Sequence, residues 1–171
     1  ELRAHVPGRS LWKKQKSIYP NPEDHVMPSR PIIKVIQNRD FVITSTGTSV
    51  RKAAELMRRQ NQGALVAVNA DGRLAGICTE RDLSYKVLAA GLSAEQTTVG
   101  EIMTPDPVSV GPDKPFGHAL HLMFEGGFRH MPVVDRHHRP IGIVSARDAL
   151  GLEILHFRSE LQLREDIAEI L

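Results

Sequence analysis

The sequence predicts a mixed α/β (α+β) fold in which a β-α-β-β-α unit occurs twice in pseudo-symmetric positions, the two copies packing through their sheets. Two observations predict this fold. A Gly-apolar-apolar-(Thr/Ser)-x-Arg-Asp pattern occupies residues 76–82 and again residues 142–148. The surrounding residues also match at the same offset, as Leu56-Met57 matches Leu122-Met123. A repeat at a fixed spacing indicates a duplicated structural unit.

The first copy is predicted to span residues 35–98, with apolar runs of strand length on either side of an amphipathic helix. Its elements are expected as a strand at 41–43, a helix capped by Thr48 or Ser49 and ended by Gly63, strands at 64–68 and 74–78, and a helix from Thr79 to Gly91. Asn-Ala-Asp-Gly at 69–72 predicts the turn of a hairpin between the two later strands.

The second copy is predicted to span residues 99–152 and to repeat this order. Its elements are expected as a helical turn over 99–105 stopped by Pro105, a strand at 108–110, a helix capped by Asp113 and ended by Gly126-Gly127, strands at 131–134 and 140–144, and a helix that starts at Ser145.

The two flanking segments differ from the repeats in composition. Residues 1–34 are rich in proline and predict an extended N-terminal arm with at most one short helix. A weak basic cluster around Trp12 in this arm is interpreted as solvated. Residues 153–171 continue an apolar stripe and predict an extra C-terminal helix. Such a helix needs a partner surface, either on its own domain or, as we favour, on a second subunit.

Composition excludes several classes of protein. The net charge of +2 does not by itself imply a polyanion partner, and no apolar stretch approaches the roughly 20 residues of a membrane helix. A single cysteine, Cys78, fits a reducing compartment, so we expect a cytoplasmic protein without a membrane span. His118 and His121 could face one another on a helix, but no third ligand accompanies them, and no metal site is predicted.

The doubled motif, together with Ile-Met-Thr-Pro at residues 102–105 between the copies, resembles the cystathionine-β-synthase (CBS) domain pair, also called a Bateman module. The resemblance covers residues 35–152 and implies a stand-alone CBS-pair protein. Members of that family usually bind adenosine-containing ligands in clefts between the repeats and commonly dimerise. The resemblance therefore implies a regulatory module that senses an adenosine-containing ligand. AMP is the favoured ligand, and ADP, ATP, NAD(H) and S-adenosylmethionine are the alternatives.

The resemblance also implies roles for particular residues. Asp82 and Asp148 would each accept hydrogen bonds from the two hydroxyls of a ribose. The remaining candidates are the hydroxyls of Thr79 and Ser145 and the guanidinium groups of Arg81 and Arg147 for phosphate, Arg129 and His130 for phosphate charge, Val42 and Ile43 as the adenine wall of one cleft, and Val108 and Val110 as that of the other.

The motif is also compatible with functions that involve no nucleotide. A Ser/Thr-x-x-Asp pattern at the start of a helix is also a capping box, which needs no ligand. The pair could instead be a structural scaffold that recruits a protein, or less plausibly a nucleic acid, through its termini. Catalysis is the least favoured function, because no acid–base pair, triad or phosphate loop is evident.

Overall fold

The computed structural model describes residues 30–149, which contain both copies of the repeat. Its elements in chain order are α1 (Ile32–Ile36), β1 (Val42–Ser45), α2 (Val50–Arg59), β2 (Ala64–Val68), β3 (Leu74–Thr79), α3 (Glu80–Asp82) continued by a π-helix (Leu83–Leu88), α4 (Val99–Ile102), β4 (Thr104–Pro105), α5 (Phe116–Gly126), β5 (His130–Val134) and β6 (Pro140–Ser145). The mixed fold and the two hairpins are confirmed.

The sheet of the first copy has the strand order β1-β2-β3-β4. β1 runs parallel to β2, with α2 as the connection, and β2 and β3 form the predicted antiparallel hairpin. The turn is held by Asn69, whose Oδ1 accepts hydrogen bonds from the backbone N–H groups of Asp71 and Arg73. Gly72 supplies the positive φ of 75° that the turn requires.

The sheet of the second copy is smaller than predicted. β5 and β6 pair as expected, but the predicted strand at 108–110 is reduced to one parallel bridge between Val110 and Val133. The strand is shortened because of the residues that precede it. Thr104–Pro105, predicted as the end of a helical turn, forms β4 and pairs with β3 of the first copy. The chain then needs residues 106–109 to cross to the second sheet, and only Val110 is left to pair.

Helix ends agree with the sequence in some places and not in others. Ser49 caps α2, and Gly127 ends α5 with a φ of 66°, as predicted. Gly63 does not end α2, which stops at Gln60, followed by Asn61 in the left-handed region. The prediction that Asp113 caps α5 is wrong.

The N-cap of α5 is Pro115, which makes no side-chain cap hydrogen bond. The free N–H of Phe116 donates instead to the backbone carbonyl of Arg30 at 2.9 Å. This contact replaces the missing side-chain cap with a group from the segment that precedes the first copy.

The short helix that leads into each copy packs on the other copy. Ile32, Val35 and Ile36 of α1 lie in the core built by α5, β5 and β6. Val99 and Ile102 of α4 lie in the core built by α2, β2 and β3. Each short helix is also joined to the other copy by an antiparallel β-bridge. Pro31 pairs with Pro115 just before α1, and Thr98 pairs with Ser49 just before α4.

The two sheets also meet directly, as predicted. Val66, Leu74 and Val134 form a third buried cluster with residues from both hairpins, and the N–H of Leu74 donates to the carbonyl of His138 at 2.9 Å. Residues 147–149 begin a helix after β6. The predicted C-terminal helix and most of the predicted N-terminal arm lie outside the described residues, and none of the helices between 30 and 149 is long and apolar enough to cross a membrane.

Candidate functional site

The larger cleft of the described chain has a volume of about 390 Å³ and lies where three segments converge. It is lined by the first-copy motif, β4 with the segment after it, and the segment between α5 and β5, and Gly63 before β2 completes the lining. The residues are Gly63, Ile77, Thr79, Glu80, Arg81, Asp82, Thr104, Asp106, Pro107, Val108, Gly127, Phe128, Arg129 and His130. Its size is within the range of small-molecule sites in proteins. We call it the first cleft.

The Asp82 carboxylate is held firmly at the start of α3. Its Oδ2 accepts hydrogen bonds from the N–H and the hydroxyl of Thr79, both at 2.8 Å, and its Oδ1 lies 2.8 Å from Nζ of Lys86. Burial favours the neutral acid, but the hydrogen bonds from Lys86 and Thr79 outweigh it and lower the pKa of Asp82. The group is therefore an ionised acceptor at neutral pH. Thr79 occupies both lone pairs of Oδ2, so Oδ1 is the oxygen that keeps a lone pair for a further hydrogen bond.

The capping box predicted as an alternative function of the motif is present at Thr79 and Asp82. This contact accounts for one oxygen of Asp82 without any ligand. A capping box does not by itself produce a cleft. Thr98 and Glu101 form another one at the start of α4, and neither residue lines a cleft. Capping and ligand binding are compatible roles for Asp82.

The basic residues of the first cleft come from both copies. Arg81 follows the motif threonine, and Arg129 and His130 enter from the start of β5 in the second copy. Burial and the neighbouring Arg129 lower the pKa of His130, against the opposing effect of Glu80. At neutral pH His130 is thus uncharged and can donate a hydrogen bond, whereas the positive charge in the cleft comes from the arginines.

A second cleft of about 150 Å³ is built around the second-copy motif. Ser145, Arg147 and Asp148 line it together with Arg39 and residues 61–64 of the first copy. Gly63 and His130 line both clefts, so the two clefts share a wall.

Asp148 is held differently from Asp82. Its Oδ2 accepts from the N–H of Ser145 at 2.7 Å, while its Oδ1 forms an ion pair with Arg39. Arg39 lies between α1 and β1, so this ion pair joins two distant parts of the chain. The Arg30 side chain also donates to the backbone carbonyl of Asp148 at 3.0 Å.

The structure brings nine of the twelve sequence-predicted site residues to a cleft and separates three. Val42 is 1% exposed in the core of the first copy, Val110 is 5% exposed in the core of the second, and Ile43 is exposed but lines neither cleft. Val108 joins the first-copy motif, because β4 carries the following segment across β3.

Several cleft residues were not predicted from the sequence. Glu80 and Phe128 stand next to residues that were singled out, so their positions in the repeat could have identified them. Thr104, Asp106 and Pro107 could not have been placed, because the sequence does not reveal that β4 pairs with the other copy.

Residues 30–149 contain neither an activated thiol nor a cluster of metal ligands. Cys78 is fully buried in β3, and burial, together with the charge of Asp82, raises the pKa of its thiol to about 12. Such a thiol is a core residue rather than a nucleophile. Within the same described range, no three His, Cys, Asp or Glu side chains are grouped as metal ligands would be.

Curated relatives share the repeat. A mitochondrial CBS domain-containing protein of Arabidopsis thaliana is 37% identical over 69% of this chain and 59% of its own length, and an uncharacterised protein of Methanopyrus kandleri is 33% identical over 69% and 60%. The Meiotically up-regulated gene 70 protein of Schizosaccharomyces pombe is 41% identical over half of this chain. The chain spans only about three fifths of the first two relatives and 12% of the third.

Solved structures share the fold. The CBS domain pair of protein MJ0100, in complex with 5′-methylthioadenosine and S-adenosyl-L-methionine, superposes with a TM-score of 0.66 at 28% identity, covering 73% of this chain and 96% of that one. A hexameric CBS-CP12 protein from bloom-forming cyanobacteria superposes with a TM-score of 0.65 at 26% identity, covering 71% and 67%.

The CBS domain family model matches this chain twice, at residues 33–89 and 99–153. These ranges contain both motifs, both hairpins and all the residues that line the two clefts. The chain therefore belongs to the CBS domain family and carries two CBS domains in tandem.

Proposed function

We propose that this chain is a regulatory module that binds an adenosine-containing ligand, with AMP as the favoured candidate, and that the first cleft is its principal site. The observation that carries the proposal is the meeting of an ionised carboxylate, Asp82, with Arg81 and Arg129 in one cleft of about 390 Å³. The adenosine ligands bound by the MJ0100 pair support the ligand class. CBS pairs are generally regulatory rather than catalytic, which supports the role.

In this proposal Asp82 accepts from a ribose hydroxyl through the Oδ1 lone pair that Lys86 leaves free. Arg81 and Arg129 contact a phosphate with charge-assisted hydrogen bonds, and the neutral His130 donates one more. The base lies against the apolar part of the lining, at Ile77, Val108 and Phe128. Asp148, Ser145 and Arg147 have the corresponding roles in the second cleft, which is too small for a whole nucleotide without movement.

Regulation requires that the ligand bind two conformations with unequal affinity. The first cleft can supply that inequality, because its lining comes from both copies and from the segment between them. Bound ligand would therefore favour one packing of the two repeats over another.

We also propose that the module forms a homodimer. Tyr85 and Leu88, which lie one turn apart after α3, are 69% and 80% exposed, and Phe124 on α5 is 87% exposed. Apolar side chains that are exposed side by side are typical of a surface covered by a partner, and Tyr85 and Leu88 are neighbours on one helix. Replacing Leu88 by lysine should shift the mass measured by light scattering toward that of a monomer.

Calorimetric titration with AMP, ATP, NADH and S-adenosylmethionine tests the principal proposal. Wild-type protein freed of nucleotide should bind AMP, and Asp82→Ala should lose most of that affinity. Glu101→Ala is the matched control, because it removes a capping carboxylate of the same geometry outside both clefts. Normal AMP binding by Asp82→Ala, or no binding by the wild type to any of the four ligands, would refute the proposal.

A further inference from the structure

Charge is distributed unequally around the first cleft. Its lining holds three carboxylates, those of Glu80, Asp82 and Asp106, but only two arginines, Arg81 and Arg129. Asp82 is already neutralised by Lys86. The carboxylate that remains close to the arginine-bearing segment is that of Glu80, which the motif alone did not single out.

The position of Glu80 is set by contacts with the wall that both clefts share. Its backbone N–H donates to the carbonyl of Gly63 at 3.1 Å, and its carboxylate lies 3.4 Å from where a Cβ on Gly63 would stand. Gly63 and His130 line both clefts. The charge of Glu80 is also felt at His130 and opposes the effect of Arg129 there. The carboxylate thus lies in the region where phosphate charge would accumulate.

The duplication provides a natural reference for this residue. The position equivalent to Glu80 in the second copy is Ala146, and the position equivalent to Gly63 is Arg129. The N–H of Ala146 donates to the carbonyl of Arg129 at 3.0 Å, as that of Glu80 does to Gly63. The backbone contact is therefore the same in both copies, and only one of them carries a carboxylate at this point.

We propose that Glu80 determines ligand specificity in the first cleft by excluding polyphosphates. This inference rests on the proposed function and narrows it to adenosine ligands whose 5′ substituent carries a single phosphate, no charge or a positive charge. Two arginines can balance one phosphate group. The further negative charges of a triphosphate would have to lie beside the Glu80 carboxylate, and like charges at close range disfavour binding.

The inference predicts a particular order of affinities. AMP and S-adenosylmethionine should bind the wild type more tightly than ATP does. Glu80→Gln keeps the shape of the side chain and should increase ATP affinity by about tenfold relative to AMP affinity, a typical effect of removing one nearby like charge. Glu80→Ala, which copies the second repeat, should act in the same direction. The difference should shrink as salt is raised, because exposed charges are screened.

The control is Glu95→Gln, which makes the same change in net charge at an exposed residue that pairs with Arg51 and lines neither cleft. It should leave the ratio of the two affinities unchanged. Titration of the His130 imidazole by NMR in ligand-free protein adds a second measurement, in which Glu80→Gln should lower the pKa of His130 further.

The outcomes separate this inference from the proposed function. If AMP and ATP both bind and their affinity ratio is the same in wild type and Glu80→Gln, the specificity role is refuted and the binding function stands. If no adenosine ligand binds the wild type or any variant, both are refuted. An unchanged pKa of His130 in Glu80→Gln would also count against the inference, because the carboxylate would then be too far from the phosphate-binding region.

Discussion

The first and second clefts are built from equivalent residues of a duplicated unit and yet differ in size, charge and support. The first has about 390 Å³ and the second about 150 Å³. In the first, the motif carboxylate of Asp82 pairs with Lys86 from the helix that continues α3. In the second, the carboxylate of Asp148 pairs with Arg39, which lies far away in the sequence, between α1 and β1. The two copies share the backbone contact from the motif Thr or Ser to the motif carboxylate, while the residues around the two clefts differ.

The source of the difference is the segment that each motif faces. The first motif faces Arg129 and His130 of the second copy, and the second motif faces residues 61–64 of the first copy, which carry no charge. Each cleft thus combines the motif of one copy with the segment before the central strand of the other. Within that segment Arg129 lines the first cleft alone, whereas His130 lines both clefts.

The largest effect that would test this comparison is expected at Arg129. Arg129→Ala should weaken AMP binding by about tenfold, because a hydrogen bond to a charged group contributes about 1.5–3 kcal/mol and this side chain is exposed, which places it at the lower end. Arg147→Ala should leave the AMP affinity of the first cleft unchanged, because Arg147 lines only the second. Calorimetry on both variants makes the measurement, and equal losses would mean that the two clefts act alike.

A second effect concerns the glycine that opens each motif. A Cβ on Gly76 would collide with the side chain of Met103 and stand 3.0 Å from the carbonyl of Thr104, whereas one on Gly142 would stand 2.8–3.0 Å from the side chain of Ile36. Each glycine admits the segment that leads into the other copy. Either substitution by alanine should therefore lower the free energy of unfolding by about 1–3 kcal/mol, as overpacking does.

The two glycine variants should differ in binding. Gly76→Ala displaces Thr104, which lines the first cleft, and should also weaken AMP binding, whereas Gly142→Ala should not. Denaturant unfolding and calorimetry measure the two quantities. Gly111→Ala, where a Cβ would meet nothing within 4 Å, is the control. Loss of AMP affinity in Gly142→Ala alone would reverse the assignment of the clefts.

The sequence was sufficient to predict the local elements because each depends on nearby residues. The offset of the two motifs, the alternation of apolar runs and the Asn-Ala-Asp-Gly turn predicted both hairpins and α2. The same information could not predict which copy α1 and α4 pack on. Ile32 and Ile36 read only as apolar residues at the end of an arm, and the choice of partner depends on the shape of the assembled cores.

The candidate site was predictable to the extent that it lies on the motif itself. Asp82 and Arg129 line the first cleft, but of the predicted adenine walls only Val108 does, because Val42 and Val110 are needed in the two cores. The charge state of His130 was also beyond the sequence. It depends on burial, on the adjacent Arg129, and on Glu80 and Arg147, whose proximity arises only in the folded chain.

The pH dependence of binding offers a smaller effect. The pKa of His130 is lowered in the free protein, and a phosphate beside it would raise that pKa, so the complex takes up a proton that the free protein does not hold. AMP affinity should therefore rise as pH falls from the raised pKa of the complex toward the lowered pKa of the free protein. The increase should be about threefold for an interaction of this kind.

Affinities measured between pH 8 and pH 6 in wild type and in His130→Gln isolate this contribution, because protonation of AMP itself affects both proteins equally. The expected result is a rise in the wild type relative to the variant. Parallel pH profiles would show that His130 makes no contact with the phosphate, and the charge in the first cleft would then come from the arginines alone.

The smallest effect distinguishes how the two carboxylates are held. The lowered pKa of Asp82 means that its contribution to stability is present above the unfolded value near 3.8 and is lost as pH falls through the folded pKa. Lys86→Met should raise that pKa and reduce the acid sensitivity, at a cost of less than about 1 kcal/mol at neutral pH, because Lys86 is 45% exposed. Arg39→Met should have an equally small effect on stability, since Arg39 is 53% exposed.

The two variants should differ in their effect on AMP binding. Lys86 also donates to the carbonyl of Ile102 at 2.7 Å, so it joins Asp82 to α4, which lies next to β4 and the first cleft. NMR titration of Asp82 and calorimetry with AMP on both variants test this. AMP affinity should fall in Lys86→Met and not in Arg39→Met, and the opposite order would place the ligand beside Asp148.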